Sequence, residues 1–242
     1  FYLKNKHQTY GKIISVILAR AGSKGLKNKN LRNLDGKPLL YYAIEAAKSS
    51  KFIDKIYVST DSNKIKKIAI KYGAQVPFLR SKKLSRDDTT TEETLRNFLD
   101  KLKIKKNYNP DIIVYFQTTD IFRKKVLIDE CINNLIVNSK IDSSFIVTPL
   151  HKNFWQYKKG KAIRINKVGV YLPRQKKMPI FREDTGLCLA TRNKCITKTK
   201  RIGKNVKLVL NTSKIDMVDI HTMNDLNLAN QIIKNIKLKP NF

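Results

Sequence analysis

Residues 18–30, LARAGSKGLKNKN, gather side chains suited to holding an anion: Arg20, Ser23, Lys24, Lys27, Lys29 and Asn30, with Gly22 and Gly25 between them. Glycines let successive backbone N–H groups turn toward phosphate oxygens, while lysine and arginine supply the neutralising charge. The segment is neither of the common nucleotide fingerprints. G-x-G-x-x-G is absent, and Gly36-Lys37 lacks both the upstream glycine and the following Ser/Thr of a P-loop. On residue types alone, a phosphate-binding loop and a solvated basic loop both remain open.

Such a loop needs a rigid frame. Ile13–Ala19 is a continuous, β-branched apolar run, as expected of a strand buried on both faces of a parallel sheet. Behind Pro38, Leu39, Leu40, Ala43, Ile44 and Ala47 recur at helical spacing. A short strand follows at Lys55–Ser59, then a helix marked by Ile65, Ile68, Ala69 and Tyr72 and closed by Gly73. Thr90 and Glu93 predict a capping box ahead of Leu95, Phe98, Leu99 and Leu102, and Asn109-Pro110 ends that stretch. Ile112–Phe116 reads as a central strand, Leu127, Cys131 and Leu135 as a helix, and Ser144–Thr148 as a further strand. Thr222 and Asp225 can cap a last helix carrying Leu226, Ala229, Ile233 and Ile236.

This alternation predicts an α/β fold of three layers, α/β/α, around a mostly parallel sheet. A ligand crevice is expected at the carboxyl ends of the strands. Three loops, beginning at Arg20, at Thr60-Asp61 and at Gln117, then share one rim. The expected plan is a leader at 1–12, one domain over 13–237 and a tail at 238–242, with an excursion from about Pro149 to Asp184 where the alternation breaks down.

Composition narrows the class. Fifty Lys+Arg against nineteen Asp+Glu give a formal charge of +31, which draws anions toward the surface. Lysine is spread over the whole chain and no nucleic-acid motif accompanies it, so no dedicated nucleic-acid partner is expected. Cys131, Cys188 and Cys195 are odd in number and form no C-x-x-C pair, which argues against a disulfide framework or zinc site and for a reducing compartment, the cytoplasm. Lys12, Ile13–Leu18 and Ala19-Arg20-Ala21 imitate a signal peptide, but the residues beyond make better sense as a phosphate loop. No apolar run approaches the length of a membrane span, so no membrane insertion is expected.

The A-R-x-x-S-K-G loop, the Lys29-Asn30 beyond it and the following G-K-P-L resemble the acylneuraminate cytidylyltransferase pattern. Further matches follow in order: Val58-Ser59-Thr60-Asp61, the stretch Tyr72–Arg80 (YGAQVPFLR), Gln117-Thr118-Thr119, Arg123, and Asp219-Ile220-His221-Thr222 before Asp225-Leu226. The resemblance spans about residues 13 to 235. It implies a Rossmann-like, GT-A-like nucleotidyltransferase sheet and an enzyme that joins CMP from CTP to an acidic 2-keto-3-deoxy sugar, releasing pyrophosphate.

Carried over position by position, the resemblance implies that Arg20, Ser23, Lys24, Lys29 and Asn30 hold the nucleotide phosphates and ribose, with Arg80 also on the nucleotide. Arg20, Lys24, Lys29 and Asp219 are the implied catalytic set. Asp219 matches the family's Mg²⁺-binding aspartate; read without the resemblance, it is equally a helix-capping acid. His221 stands where relatives often carry a second aspartate, and its roles as a metal-site residue through water, a proton acceptor or a structural filler stay open. Gln117 and Thr119 match acceptor-contacting positions. Arg174 and Arg182 match arginines near the sugar carboxylate, supplied in the family across a homodimer.

Two stretches depart from the pattern. QTTDIFR replaces Q-P-T-S-P-L-R and introduces Asp120, and Arg182-Glu183-Asp184-Thr185-Gly186 places two acids where Pro-Asn is usual. Both changes fall on the acceptor side, so a sialic, legionaminic or pseudaminic acid, a Kdo-type sugar or another nucleoside triphosphate all stay in play. Phe154, Trp155 and Tyr157 line an acceptor pocket, a dimer contact or only their own excursion. A basic module that holds nucleic acid or an anionic surface without turnover is the rival from a different class.

Overall fold

The computed structural model describes residues 11–165 and 172–236, except that nothing is described of the Arg174 and Ile236 side chains. The expected leader, apart from residues 11 and 12, and the expected tail lie outside the described residues. The elements run β1 (Ile13–Leu18), β2 (Asn33–Leu34), β3 (Lys37–Pro38), α1 (Leu39–Ser49), β4 (Lys55–Ser59), α2 (Asn63–Lys71), α3 (Thr91–Lys106) and β5 (Ile112–Phe116). Then come α4 (Lys125–Val137), β6 (Ser143–Leu150), β7 (Trp155–Lys158), β8 (Lys161–Arg164), β9 (Ile180–Glu183), β10 (Leu189–Arg192), β11 (Val206–Leu210) and α5 (Met223–Ile236).

The main sheet has the order β11-β6-β10-β5-β1-β4, with β9 pairing the far part of β6. β1 lies parallel to both β4 and β5, and β11 parallel to β6. The direction is therefore mostly parallel, as expected, with one insertion that sequence periodicity did not indicate. β10 runs antiparallel between β5 and β6. Its four residues LATR are too short to carry a period, and they reach the centre of the sheet only because the chain returns from the excursion.

Alternation along the strands divides the core in two. Ile13, Ile17, Val58, Ile112 and Val114 point to one face, where Leu40, Ala43, Ile44 and Ala47 of α1, Ile65 and Ala69 of α2, and Ile128, Cys131 and Leu135 of α4 cover them. Ile14, Val16, Ile113 and Tyr115 point to the other, against Leu95, Phe98, Leu99 and Leu102 of α3. This is the three-layer arrangement.

The helix boundaries follow local chemistry. The Ser62 hydroxyl accepts from Ile65 N at 3.4 Å and that of Thr90 from Glu93 N at 3.1 Å, each satisfying a free N–H of the first helical turn. Asn107, at φ 45°, ends α3, and Gly73, at φ 88°, follows α2. Pro38 precedes α1 as its N-cap.

A third apolar cluster fastens the loops of the rim to one another. Leu26 of the basic loop, Ile121 and Phe122 after β5, and Ile220 before α5 pack with Leu39, Leu226, Ala229 and Ile233. Three segments far apart in sequence thus share one small core beneath the crevice. In the excursion, β7 and β8 form a separate two-stranded sheet before β9 returns to β6.

Candidate active site

At the carboxyl ends of β1, β4 and β5 a cleft of about 280 Å³ opens, lined among others by Arg20, Ser23, Lys29, Asn30, Arg80, Gln117 and Thr119. The remaining walls bring Asp87, Thr91 and Thr94, which carried no motif, beside Thr90 of the capping box, Tyr115 of β5 and Thr118. Thr118 had a signal in its Q-T-T context. Asp87 had none, because its partners lie more than sixty residues earlier in the chain.

The basic loop is fixed from behind. Ala21 N donates to Asp61 Oδ1 at 2.8 Å, tying its start to the loop after β4. The buried Asn30 donates from its amide to Arg20 O at 2.7 Å and accepts from Thr118 Oγ1 at 2.6 Å, so this side chain joins the basic loop to the loop after β5. Asn30 was expected on the nucleotide; here its amide is largely spent on positioning its neighbours. Gly25 packs so closely on the segment before α5 that a Cβ would meet His221 O at 2.8 Å.

Four cations line the cleft: Arg20 and Lys29 of the basic loop, and Arg80 and Arg86 beyond it. Arg20 reaches Asp87 Oδ1 at 2.7 Å and Ser85 O at 3.4 Å. Burial holds the Lys29 ammonium below its ordinary pKa of 10.5, opposed by the charges of Asp219 and Asp120 and reinforced by Arg20. Arg80 is buried; its N donates to Thr60 O at 2.8 Å and its Nε to Ser85 Oγ at 3.1 Å, while Nη2 is buried with no partner among the described residues. Burial lowers the Arg80 pKa, against the pull of Asp61. Lys24 stands on the rim, four-fifths exposed, with Nζ 2.8 Å from Asp87 Oδ2.

In the loop after β5, Thr119 Oγ1 lies 3.2 Å from Gln117 Oε1 and 3.1 Å from Asp120 Oδ2. Arg123, almost wholly buried, donates from Nε to Leu187 O at 2.9 Å and from Nη2 to Gly186 O at 3.0 Å and to Gln117 O. It clamps the loop after β5 to the turn before β10. Asp120 forms an antiparallel bridge with Asp219. Burial pushes the Asp120 carboxyl up to about 6; the Arg123 charge opposes this and Asp219 adds to it.

Of the two arginines expected at a sugar carboxylate, Arg182 is not among the residues that line this cleft. Arg182, on β9, donates from Nε to Asp184 Oδ1 at 2.6 Å, and the same carboxylate accepts from Thr148 Oγ1 at 2.5 Å. The two acids that replace Pro-Asn explain the change: Asp184 neutralises Arg182, and Glu183 lies 3.3 Å from Arg201. Arg174 begins a short 3-10 turn, and its side chain lies outside the described part.

Asp219 and His221 sit beside the cleft, joined by His221 Nε2 to Asp219 Oδ2 at 2.8 Å. The imidazole thus spends a ring nitrogen on the carboxylate. Thr222 and Asp225 hold this segment: Asp225 Oδ2 accepts from His221 N at 2.9 Å and Thr222 N at 2.7 Å, and Thr222 Oγ1 accepts from Asp225 N at 3.3 Å. Capping therefore belongs to this pair and leaves Asp219 free of that duty. Among the described residues no three His, Cys, Asp or Glu side chains converge as a self-sufficient metal site. A single exposed carboxylate suits Mg²⁺, which takes one or two protein carboxylates and completes its shell with substrate phosphate oxygens and water.

A parallel-sheet crevice walled by a glycine-containing basic loop and two further cations is the site of a nucleotidyltransferase. The family model for cytidylyltransferases matches residues 14–230, and the chain belongs to that family, in its acylneuraminate branch. It is an enzyme that uses CTP to make a CMP-sugar. Over 230 residues it is 32% identical to CMP-N,N'-diacetyllegionaminic acid synthase of Legionella pneumophila, covering 92% of this chain and 97% of that one. Over 116 residues it is 34% identical to pseudaminic acid cytidylyltransferase of Campylobacter jejuni, covering 48% of this chain and 50% of the relative. In fold it is similar to a CMP:2-keto-3-deoxy-manno-octonic acid synthetase complexed with CTP, with TM-score 0.70 and 13% identity over 94% of this chain and all of the other.

Proposed function

We propose that this enzyme couples CMP to a nine-carbon, 2-keto-3-deoxy sugar acid of the legionaminic, pseudaminic or sialic type. The observation that carries the nucleotide side is the buried Arg80 Nη2, a guanidinium nitrogen with no partner among the described residues, beside Arg20 and Lys29 in the cleft. Leaving such a donor unpaired in the free protein is unfavourable, and a phosphate or base oxygen would satisfy it. The acid class is supported by the relatives named above.

In this reading the anomeric hydroxyl of the sugar attacks the α-phosphorus of CTP in line, and the bond to the departing pyrophosphate breaks. Arg20, Lys24, Lys29 and Ser23 hold the phosphates and neutralise their oxygens, and Arg80 holds the nucleotide. Gln117 and Thr119 orient the acceptor, with Arg123 keeping their loop in place. Asp219, oriented by His221, is the residue that would hold Mg²⁺; when bound, the ion would draw charge from the phosphate oxygens. Exposed Trp155, Tyr157 and Met178 in and beyond the β7–β8 hairpin suit burial against a second copy, which supports a homodimer. The three free cysteines suit a reducing, cytoplasmic setting. Among the described residues no helix is long and apolar enough to cross a membrane.

The test is pyrophosphate release with CTP and Mg²⁺ against a panel of 2-keto-3-deoxy sugar acids, for the native protein and Lys24→Ala. Release with one acid, lost in Lys24→Ala, is expected; Lys24 is exposed, so its removal leaves the fold intact. Near-native turnover by Lys24→Ala would remove the phosphate-loop assignment. Steeply salt-dependent binding of DNA or RNA with no pyrophosphate release would favour the binding-module rival instead.

A further inference from the structure

One carboxylate in the cleft does what a phosphate would do. Asp87 divides its two oxygens between two cations of the basic loop, Oδ1 to Arg20 Nη2 at 2.7 Å and Oδ2 to Lys24 Nζ at 2.8 Å. Its backbone belongs to the strap between Arg80 and the cap of α3, which is itself anchored to the cleft. Ser85 O accepts from Arg20 Nη1 and Ser85 Oγ from Arg80 Nε, while Thr89 Oγ1 donates to Lys83 O at 3.2 Å. Asp87 is half exposed and lines the same cleft. The neighbouring Asp88 is more exposed and comes only within 3.9 Å of Arg86, outside the basic loop.

We propose that Asp87 is a displaceable counter-anion of the phosphate loop: in the free enzyme it offsets part of the charge of Arg20 and Lys24, and a polyphosphate must evict it to bind them. The inference rests on the nucleotide reading above and deepens it by naming what sets the threshold for anion entry. Two like-charged groups, 20 and 24, are kept apart and oriented without a ligand, so the loop is preorganised. A ligand that brings several negative charges outcompetes one carboxylate, whereas a single weak anion does not, which favours triphosphate over common monoanions. When pyrophosphate leaves, the carboxylate returns to the two cations, so product departure does not strand them unpaired. Lys24 first, then Arg20, holds the Asp87 carboxyl below its ordinary range, so the counter-anion is charged at neutral pH.

The test is calorimetric binding of inorganic pyrophosphate, CTP and cytidine to the native protein, Asp87→Asn and Asp88→Asn. Asp87→Asn keeps the shape of an exposed side chain, and Asp88→Asn makes the same change in net charge one residue away. Exposed ion pairs are individually weak, so Asp87→Asn should tighten pyrophosphate and CTP by about two- to tenfold. Cytidine, which has no phosphate, should bind Asp87→Asn as it binds the native protein, and Asp88→Asn should match the native protein for all three ligands. Equal tightening in both variants would reveal a general charge effect and overturn the proposal. Unchanged pyrophosphate binding in Asp87→Asn, or none by any of the three proteins, would overturn it too. If CTP bound to none of them while Asp87→Asn still tightened pyrophosphate, the counter-anion would stand and the nucleotide reading would fall.

Discussion

Gly25 and His221 touch through space: a Cβ on Gly25 would lie 2.8 Å from the carbonyl oxygen of His221. The basic loop and the segment that carries Asp219 are therefore registered against each other at a point where only hydrogen fits. Gly25→Ala is expected to push the two apart by several tenths of an ångström while leaving the sheet untouched. Small displacements of groups that position reactants are expensive, so kcat/KM for CTP should fall by about 10- to 100-fold. Thermal unfolding should shift little, because the contact lies at the rim. Native kinetics in Gly25→Ala would mean that the two segments move independently.

Asp219 is the one acid of its segment without a capping duty, since Thr222 and Asp225 satisfy the first turn of α5. Asp219→Asn preserves shape and removes charge. If this carboxylate serves a cation shared with the triphosphate, kcat should fall by about 100-fold or more, comparable to losing a preorganised electrostatic partner. The Mg²⁺ concentration needed for half-maximal rate should rise in parallel. Loss of activity with an unchanged Mg²⁺ requirement would assign Asp219 to structure, as the partner of His221 Nε2.

The frame was more legible than the chemistry it supports. Ile13–Leu18, Lys55–Ser59 and Ile112–Phe116 stand out because strands buried on both faces need unbroken apolar runs. The caps at Thr90 and Thr222 are local and so were readable as spacing. β10 was not, since four residues with no neighbour in sequence owe their place to β5 and β6 alone. The basic loop declared its residue types, but not the partners that define their state. Asp87 on Lys24, Asp184 on Arg182 and Thr118 on Asn30 are all long-range or loop contacts with no period to betray them. Arg182 shows the limit clearly: a matching residue type said nothing of the acid two positions on that neutralises it.

Lys29 gives the cleft a pH dependence on the alkaline side. Because burial lowers its pKa below 10.5, the folded protein holds that proton less tightly than the unfolded chain does. Stability from this group therefore increases as pH rises from the folded pKa toward 10.5. Phosphate binding responds in the opposite sense, since it needs the charged ammonium. CTP affinity should fall as pH climbs through the folded value, at a lower pH than an ordinary lysine would impose. Lys29→Arg, charged throughout, should move this alkaline limb upward. The measurement is the dissociation constant for CTP from neutrality to pH 10.5; a flat profile in the native protein would exclude Lys29 from the phosphates.

Arg123 is the buried cation that holds the Gln117 loop, the side of the cleft proposed to take the acceptor. Its guanidinium serves three carbonyl oxygens, of Gln117, Gly186 and Leu187, and stacks near the Phe116 ring at 5.3 Å. Burial drives its pKa down to about 10, with Asp120 opposing, so it remains charged at neutral pH. Arg123→Ala removes the guanidinium donor from Gln117 O and Leu187 O, Gly186 O keeping the Gln117 N–H, and leaves Asp120 without its balancing charge, and should destabilise the fold by about 3–5 kcal/mol in urea unfolding. Arg123→Lys keeps the charge but not the planar fork, so it should recover part of that stability. Because the clamp acts on the Gln117 loop and not on the phosphate loop, Arg123→Lys should raise KM for the sugar acid more than KM for CTP. Equal effects on both constants would mean that Arg123 supports the whole cleft and has no particular bearing on the acceptor.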